Sequence, residues 1–354
     1  MSRFYSPVGL SAFLPILLVT ALLAPCAARA QVAPSAEAPP TTQAPPPPPD
    51  ETAPPPGHAQ SQQAHAPQPA WTVPPFDKTL FQNPIPAPYL AFLTQYDGAP
   101  AGALYHDKQF RTLLKYNVPN CMFHYGRDMP LLDALDMVFP GSTAPVQIRD
   151  NRYVILASHR GPYLAGTAFL WIDMQSGIFL GAFYFHPTNG EPTPTVAVFS
   201  RQVLIKDKSL GVSQLPPAFV EDLAAWSSSS YIPPLTTRYF LTGTNKRILL
   251  EHNEDFCAVD TAPNGAPPPP PDTCEQMNAT AADLDLNTAY YLEQVNYATN
   301  ATAWMINGPD QVAWVEMRDS ACRLGPDPLG CRIRMTRQRM HVITRIPLKP
   351  PSHL

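Results

Sequence analysis

The chain has 354 residues and 46 prolines, with 15% charged residues and a formal charge of −4. Fifteen of the prolines lie within residues 31–75 and five more form the run Pro267 to Pro271. Such stretches lack backbone donors, which excludes one continuous fold. Seventeen glycines without a three-residue period exclude collagen.

Residues 1–30 have the order of a secretory signal. Arg3 gives a positive start, Leu10 to Leu23 an apolar stretch, and Ala28-Arg29-Ala30 a small-x-small cleavage site. The apolar stretch contains Pro15 and is short for a span, so no stable membrane span is expected. Cleavage before Gln31 would remove Arg3 and Arg29 and no acid, leaving 22 − 28 = −6. The expected location is the periplasm or cell envelope of a bacterium. An acidic chain is repelled by phosphate, so no nucleic acid is expected as partner, whereas a cationic protein would be attracted. Residues 31–75 read as a disordered proline-rich linker, too poor in large apolar side chains to offset the entropy of ordering.

The stretch 76–256 reads as an α+β domain. His106 to Tyr116 has Phe110, Leu113 and Leu114 at helical spacing. Asp128 before Met129-Pro130 predicts an N-cap, with the helix running through Leu132, Leu135 and Val138 to Pro140-Gly141. Strands are expected at Tyr153 to Leu156, Ala168 to Ile172, Ile178 to Phe185 and Thr195 to Ile205, with a positive-φ turn at Gly177. Connections this short imply an antiparallel meander. Phe179, Phe183 and Phe185 face one side, and Ile178, Leu180 and Tyr184 the other. One apolar face therefore needs helices, and the other a second layer or a partner, a homodimer being one solution. Pro217 to Trp226 reads as a helix, and Thr237 to Leu241 with Arg247 to Leu250 as a hairpin.

A second proline-rich linker, 257–272, leads into 273–348, which reads as all-helical. The segments are one around Asp283, Asn287 and Tyr290, one over Gln311 to Cys322, and one over Cys331 to Arg345. Export leaves five cysteines. Cys257, Cys274, Cys322 and Cys331 are expected as structural disulfides in one of three connectivities, with Cys121 left over. Zinc is the rival reading, disfavoured because no close C-x-x-C pair is present.

The spacing Cys274-x8-Asp283-x2-Leu286-Asn287-x2-Tyr290, then Gln311-x2-Trp314-x3-Arg318-Asp319-x2-Cys322, then Cys331-x4-Thr336-x2-Arg339, resembles the N-terminal domain of the LprI-type lysozyme inhibitors. Asp283 and Asn287 lie one turn apart, as do Trp314, Arg318 and Cys322, so each set shares a helix face. Arg318 is free to pair with an acid on the facing helix while Trp314 packs.

The stretch from Ala144-Pro145-Val146 through Tyr153 to Leu156, then Phe169 to Asp173 and Gly177, is similar to the Ivy-type inhibitors of vertebrate lysozyme. That resemblance implies an antiparallel sheet with a helix, and an inhibitory loop between two strands that is braced by a disulfide. The corresponding loop here is Ser158, His159, Arg160, Gly161, Pro162 and Tyr163. It has no cysteine at either end, and its histidine is displaced from the family's position, so only the loop's location carries over. A lysozyme cleft holds two carboxylates, and a protruding cation would block them through charge-assisted hydrogen bonds. An ordinary polar hairpin tip is the competing reading.

Enzymatic readings have less to stand on. His252, Glu254 and Asp255 cluster near Cys257 but match no metal-ligand spacing, so no metal is expected. His186 and Glu191 flank a turn with no nucleophile beside them. No hydrolase elbow, zinc-protease, phosphate-loop or dinucleotide motif occurs, so no catalytic residue and no cofactor are expected. The resulting expectation is a non-enzymatic inhibitor of a lysozyme-type muramidase, acting by loop insertion. The alternative is an envelope-binding or scaffold module that contacts peptidoglycan or another exported protein.

Overall fold

The computed structural model describes residues 76, 78–258, 270–297 and 308–345. The expected leader, the 31–75 linker and most of the 257–272 linker lie outside them. The described residues belong to one compact unit. The fold is α+β: an eight-stranded sheet with packed helices, followed by a helical region carrying two disulfides.

Three helices precede the sheet: α1 (Ala101–His106), α2 (Lys108–Asn117) and α3 (Leu131–Asp136). Asp107 starts α2 by accepting from the backbone N–H of Gln109 at 2.7 Å and Phe110 at 3.0 Å, which satisfies two of the donors a helix start leaves open. Phe110, Leu113 and Leu114 are buried as their spacing predicts. The N-cap expected at Asp128 is corrected. Asp128–Pro130 is a strand, β2, paired antiparallel with β1 (Met122–His124), and the following helix has ended by Met137. The pairing with β1 holds Asp128 extended, so Pro130 flanks the helix instead.

The sheet contains β3 (Gln147–Arg149), β4 (Tyr153–Ala157), β5 (Thr167–Asp173), β6 (Ile178–Phe185) and β7 (Thr195–Phe199) as an antiparallel meander. Beyond β7 come β9 (Thr237–Leu241), β10 (Arg247–Glu251) and β8 (Ser209–Gly211). β9 and β10 form the expected antiparallel hairpin, but β7 pairs parallel with β9, and β10 parallel with β8. The meander is antiparallel as expected, and the two parallel pairings lie beyond it. The long crossover from β7 to β9 contains α4 (Pro217–Ser229), the kind of connection a parallel pair requires. Gly177 takes φ +69° in the β5–β6 turn, where Asp173 accepts from the N–H of Gln175 at 2.9 Å.

β5 and nearly all of β6 are buried on both faces. Phe179, Phe183 and Phe185 share one core with α1–α3, and Ile178 and Leu180 a second with Phe219 and Trp226 of α4. Gly181 lets the Phe199 ring lie where a Cβ would collide with it.

The C-terminal helices are α5 (Pro271–Tyr297), α6 (Gly308–Arg323) and α7 (Pro328–Arg345). Leu286, Ala289 and Leu292 of α5 and Met340 and Ile343 of α7 belong to the same core as Phe183 and Leu249. The helical region is thus a further layer over one sheet face. Both faces are covered within the chain, so no bare sheet face calls for a second copy. The disulfides are Cys257–Cys274 and Cys322–Cys331, and Cys121 is free.

Candidate functional site

The 158–166 loop joins β4 to β5. Ser158 ties its base: its N–H donates to the Ala168 carbonyl at 2.9 Å, and its hydroxyl accepts from the Ala168 N–H at 2.7 Å. The loop closes on itself where Gly161 N–H donates to the Gly166 carbonyl at 2.7 Å. Beneath it lies the buried ring of Tyr125, which meets Tyr163 edge-on at 5.1 Å and rests on Phe183 at 5.0 Å. The Tyr125 hydroxyl accepts from the Tyr163 N–H at 3.4 Å. A Cβ at Gly161 or Gly166 would collide with Tyr125. These two glycines therefore let an aromatic ring brace the loop from below, with no cysteine involved.

The tip is exposed. Leu164 is 63% exposed, and His159, Arg160, Pro162 and Tyr163 also face solvent. Leu164 and Ala165 sit at φ +47° and +55°, a region that costs non-glycine residues roughly 1–2 kcal/mol each. Arg160 does not project alone. Its guanidinium lies 5.9 Å from the Tyr231 ring and donates to the Ser230 carbonyl at 3.5 Å. Tyr231 is 83% exposed at φ +55°, just past α4. Arg160, Tyr163, Leu164 and Tyr231 thus form a cationic and aromatic surface built from two loops. Tyr125 and Tyr231 were not singled out in the sequence. Their signals are weak: a tyrosine before Gly126, and a tyrosine ending the serine run Ser227 to Ser230.

The other candidate groups turn to separate partners. His186 bonds the Tyr184 hydroxyl through Nε2 at 2.9 Å, whereas Glu191 accepts from Arg247 at 2.7 Å, so the two are not brought together. His252 Nδ1 lies 2.6 Å from Asp285 on α5, Glu254 accepts from Arg238 at 2.5 Å, and Asp255 accepts from the Cys257 N–H and from Asn278. Among the described residues, no group of three His, Cys, Asp or Glu side chains is placed to hold a metal.

In the helical region Arg318 is buried and donates to Asp283 on α5 at 2.7 Å and to Thr336 on α7 at 2.8 Å, while Arg332 also engages Asp283. The Trp314 ring meets the guanidiniums of Arg318 at 5.4 Å and Arg339 at 5.6 Å. Tyr290 packs against the core, and Asn287 is exposed away from this network. The spacing thus brings together Asp283, Trp314, Arg318 and Arg339.

A buried polar cluster joins the sheet to α5. Arg247 donates to Glu191 and, at 3.1 Å, to the Met122 carbonyl, and lies 5.4 Å from the Tyr239 ring. Burial, with Glu191 adding to it, pushes the Tyr291 hydroxyl up to about 12. Burial pushes the neighbouring Cys121 thiol up to about 11, keeping it protonated and a poor nucleophile at neutral pH.

No family model, no curated protein and no solved structure matches the chain.

Proposed function

We propose that the chain is an exported binding protein that inhibits a lysozyme-type muramidase through the 158–165 loop, with no covalent chemistry. The observation that carries this reading is the braced, exposed loop presenting Arg160, Tyr163 and Leu164 beside Tyr231. Aromatic and arginine side chains supply most of the binding energy at protein interfaces. A cation at such a tip suits a cleft whose working groups are carboxylates. The disulfides suit an oxidising compartment, and no helix among the described residues is long and apolar enough to cross a membrane. The likeness to LprI-type and Ivy-type inhibitors supports the same reading from the residues quoted for it.

The test is a muramidase assay with the purified chain against lysozymes of several classes, repeated with His159→Ala/Arg160→Ala and with Tyr163→Ala/Leu164→Ala. Inhibition that weakens with salt, and falls at least tenfold in either double variant, is the expected result. Failure to inhibit any lysozyme class would sink the proposal. Sedimentation with peptidoglycan without any effect on lysozyme would replace it with the envelope-binding module.

A further inference from the structure

The cations of this acidic chain are unevenly placed. α7 carries Arg332, Arg334, Arg337, Arg339 and Arg345 and no acid. With the leader removed, the remainder therefore stands at −6 − 5 = −11. Arg332 and Arg339 turn inward, to Asp283 and to Gln311. Arg334, Arg337, His341 and Arg345 are exposed, and their spacing puts them on one helix face. Arg334 pairs with Asp327 at 3.0 Å, and the helix dipole accounts for a cation in the last turn, such as Arg345, but not for Arg337 further back.

A cleft opens beside the last turn of α7. Thr344, in the last turn of α7, lines it together with Lys206, Lys208, Lys246 and Arg247. Its other charged walls are Asp207 and Glu293, and Arg247 is paired with Glu191 behind the wall. Glu293 accepts from Lys208 at 2.8 Å. Lys206 and Lys246 are exposed, and neither forms an ion pair among the described residues. Ile248, Ala289 and Leu292 add apolar wall. The cleft encloses about 50 Å³. That exceeds the space one water needs, and the cationic walls suit an oxyanion group through charge-assisted hydrogen bonds.

We propose that this cleft is an oxyanion site, taking a phosphate or carboxylate group of an anionic polymer whose further charges lie along Arg337, His341 and Arg345. The net charge of the chain conceals such a site, because attraction at contact range is set by local charge and the more distant acids are screened. The surface is separate from the 158–165 loop and needs no lysozyme.

The test titrates the full chain, in phosphate-free buffer, with inorganic phosphate, linear polyphosphate and polyglutamate by isothermal calorimetry. Saturable binding of at least one polymer is expected, tighter than inorganic phosphate by tenfold or more and weakened by salt. Lys206→Ala/Lys246→Ala should weaken every binder at least tenfold. Arg337→Ala/Arg345→Ala should weaken the polymers and leave inorganic phosphate unchanged. All four side chains are exposed, so circular dichroism should show folded variants. Polyphosphate and polyglutamate distinguish the two oxyanions, and preference for either supports the site. Absence of saturable polymer binding, or polymer binding unchanged in Lys206→Ala/Lys246→Ala, would overturn it.

Discussion

The sheet and the helical layer over it bury similar stretches of chain by different means. β5 presents only buried residues, and one of its faces meets aromatic rings: Trp171 on Tyr153 at 5.3 Å, Phe169 on Trp226 at 5.4 Å. Between α5, α6 and α7 the central contact is instead a buried guanidinium shared by Asp283 and Thr336, flanked by Trp314. One disulfide ties the start of α5 to Cys257, and the other closes the α6–α7 turn. Apolar packing is non-directional and tolerates repacking, whereas a buried charge is tolerable only while its partners stay in place. The sheet should therefore be robust to conservative change, and the helical layer brittle at single polar positions.

The sharpest test pairs one truncation from each region. Phe183→Ala removes a fully buried ring that supports Phe123 and Tyr125. It should cost about 3–5 kcal/mol by urea denaturation and weaken any loop-dependent binding, because Tyr125 carries the loop. Phe183→Leu should recover most of the stability. Arg318→Ala should cost about 3–5 kcal/mol, because Asp283 and Thr336 lose a buried partner. Arg318→Lys should recover little, since an ammonium cannot reproduce the guanidinium fork. Equal rescue by Leu and Lys would break the comparison.

The disulfides come next. Cys322 and Cys331 are 9 residues apart and Cys257 and Cys274 are 17 apart. Loop-closure entropy assigns each about 3 kcal/mol. Cys322→Ser/Cys331→Ser should lower stability by about that much while unfolding remains a single transition, because α5 and α7 share a core with the sheet. Separate melting of the helical layer would show that this common core does not couple the two regions.

Legibility followed the same division. The strands of the meander and the sides taken by Phe179 and Ile178 were readable because alternation and turn residues are local signals. That Arg318 would pair with an acid on a facing helix was readable, because one-turn spacing groups it with Trp314 on one face; that the acid is Asp283 was not. The parallel β7–β9 and β8–β10 pairings were not, because the sequence does not state which strand a long crossover returns to. The position of Asp128 was missed because capping and β-pairing compete for one short segment, and a distant partner decides. At the candidate loop, the location between two strands was legible. The brace from Tyr125 and the contact of Arg160 with Tyr231 were not, since each joins residues 38 or more positions apart with no shared motif.

The smallest effect separates the regions by pH. Burial raises the Asp173 carboxyl, but hydrogen bonds from Arg152 and Ser176 and from the Ser176 and Gln175 N–H groups overcome this, so it titrates below the usual range. Its contribution is present above the unfolded value near 4 and is lost as pH falls through the folded one. Burial likewise raises Glu293, and there Lys208 only partly offsets it, so the carboxyl stays above its ordinary value. Its contribution has the opposite sign: complete below the unfolded value and lost as pH rises through the folded one. Between pH 6 and pH 3 the β5–β6 turn should lose stability, whereas protonation of Glu293 relieves the burial of its charge by more than the weakened Lys208 contact loses. Asp173→Asn should flatten the acid limb of a urea-midpoint profile by an amount on the order of 1–2 kcal/mol. Glu293→Gln should steepen that limb by less, because it removes a group that favours the folded state as it takes up its proton. Parallel changes in the two variants would mean that the two carboxyls sit in equivalent surroundings, and the contrast between the regions would then be confined to Arg318 and its partners.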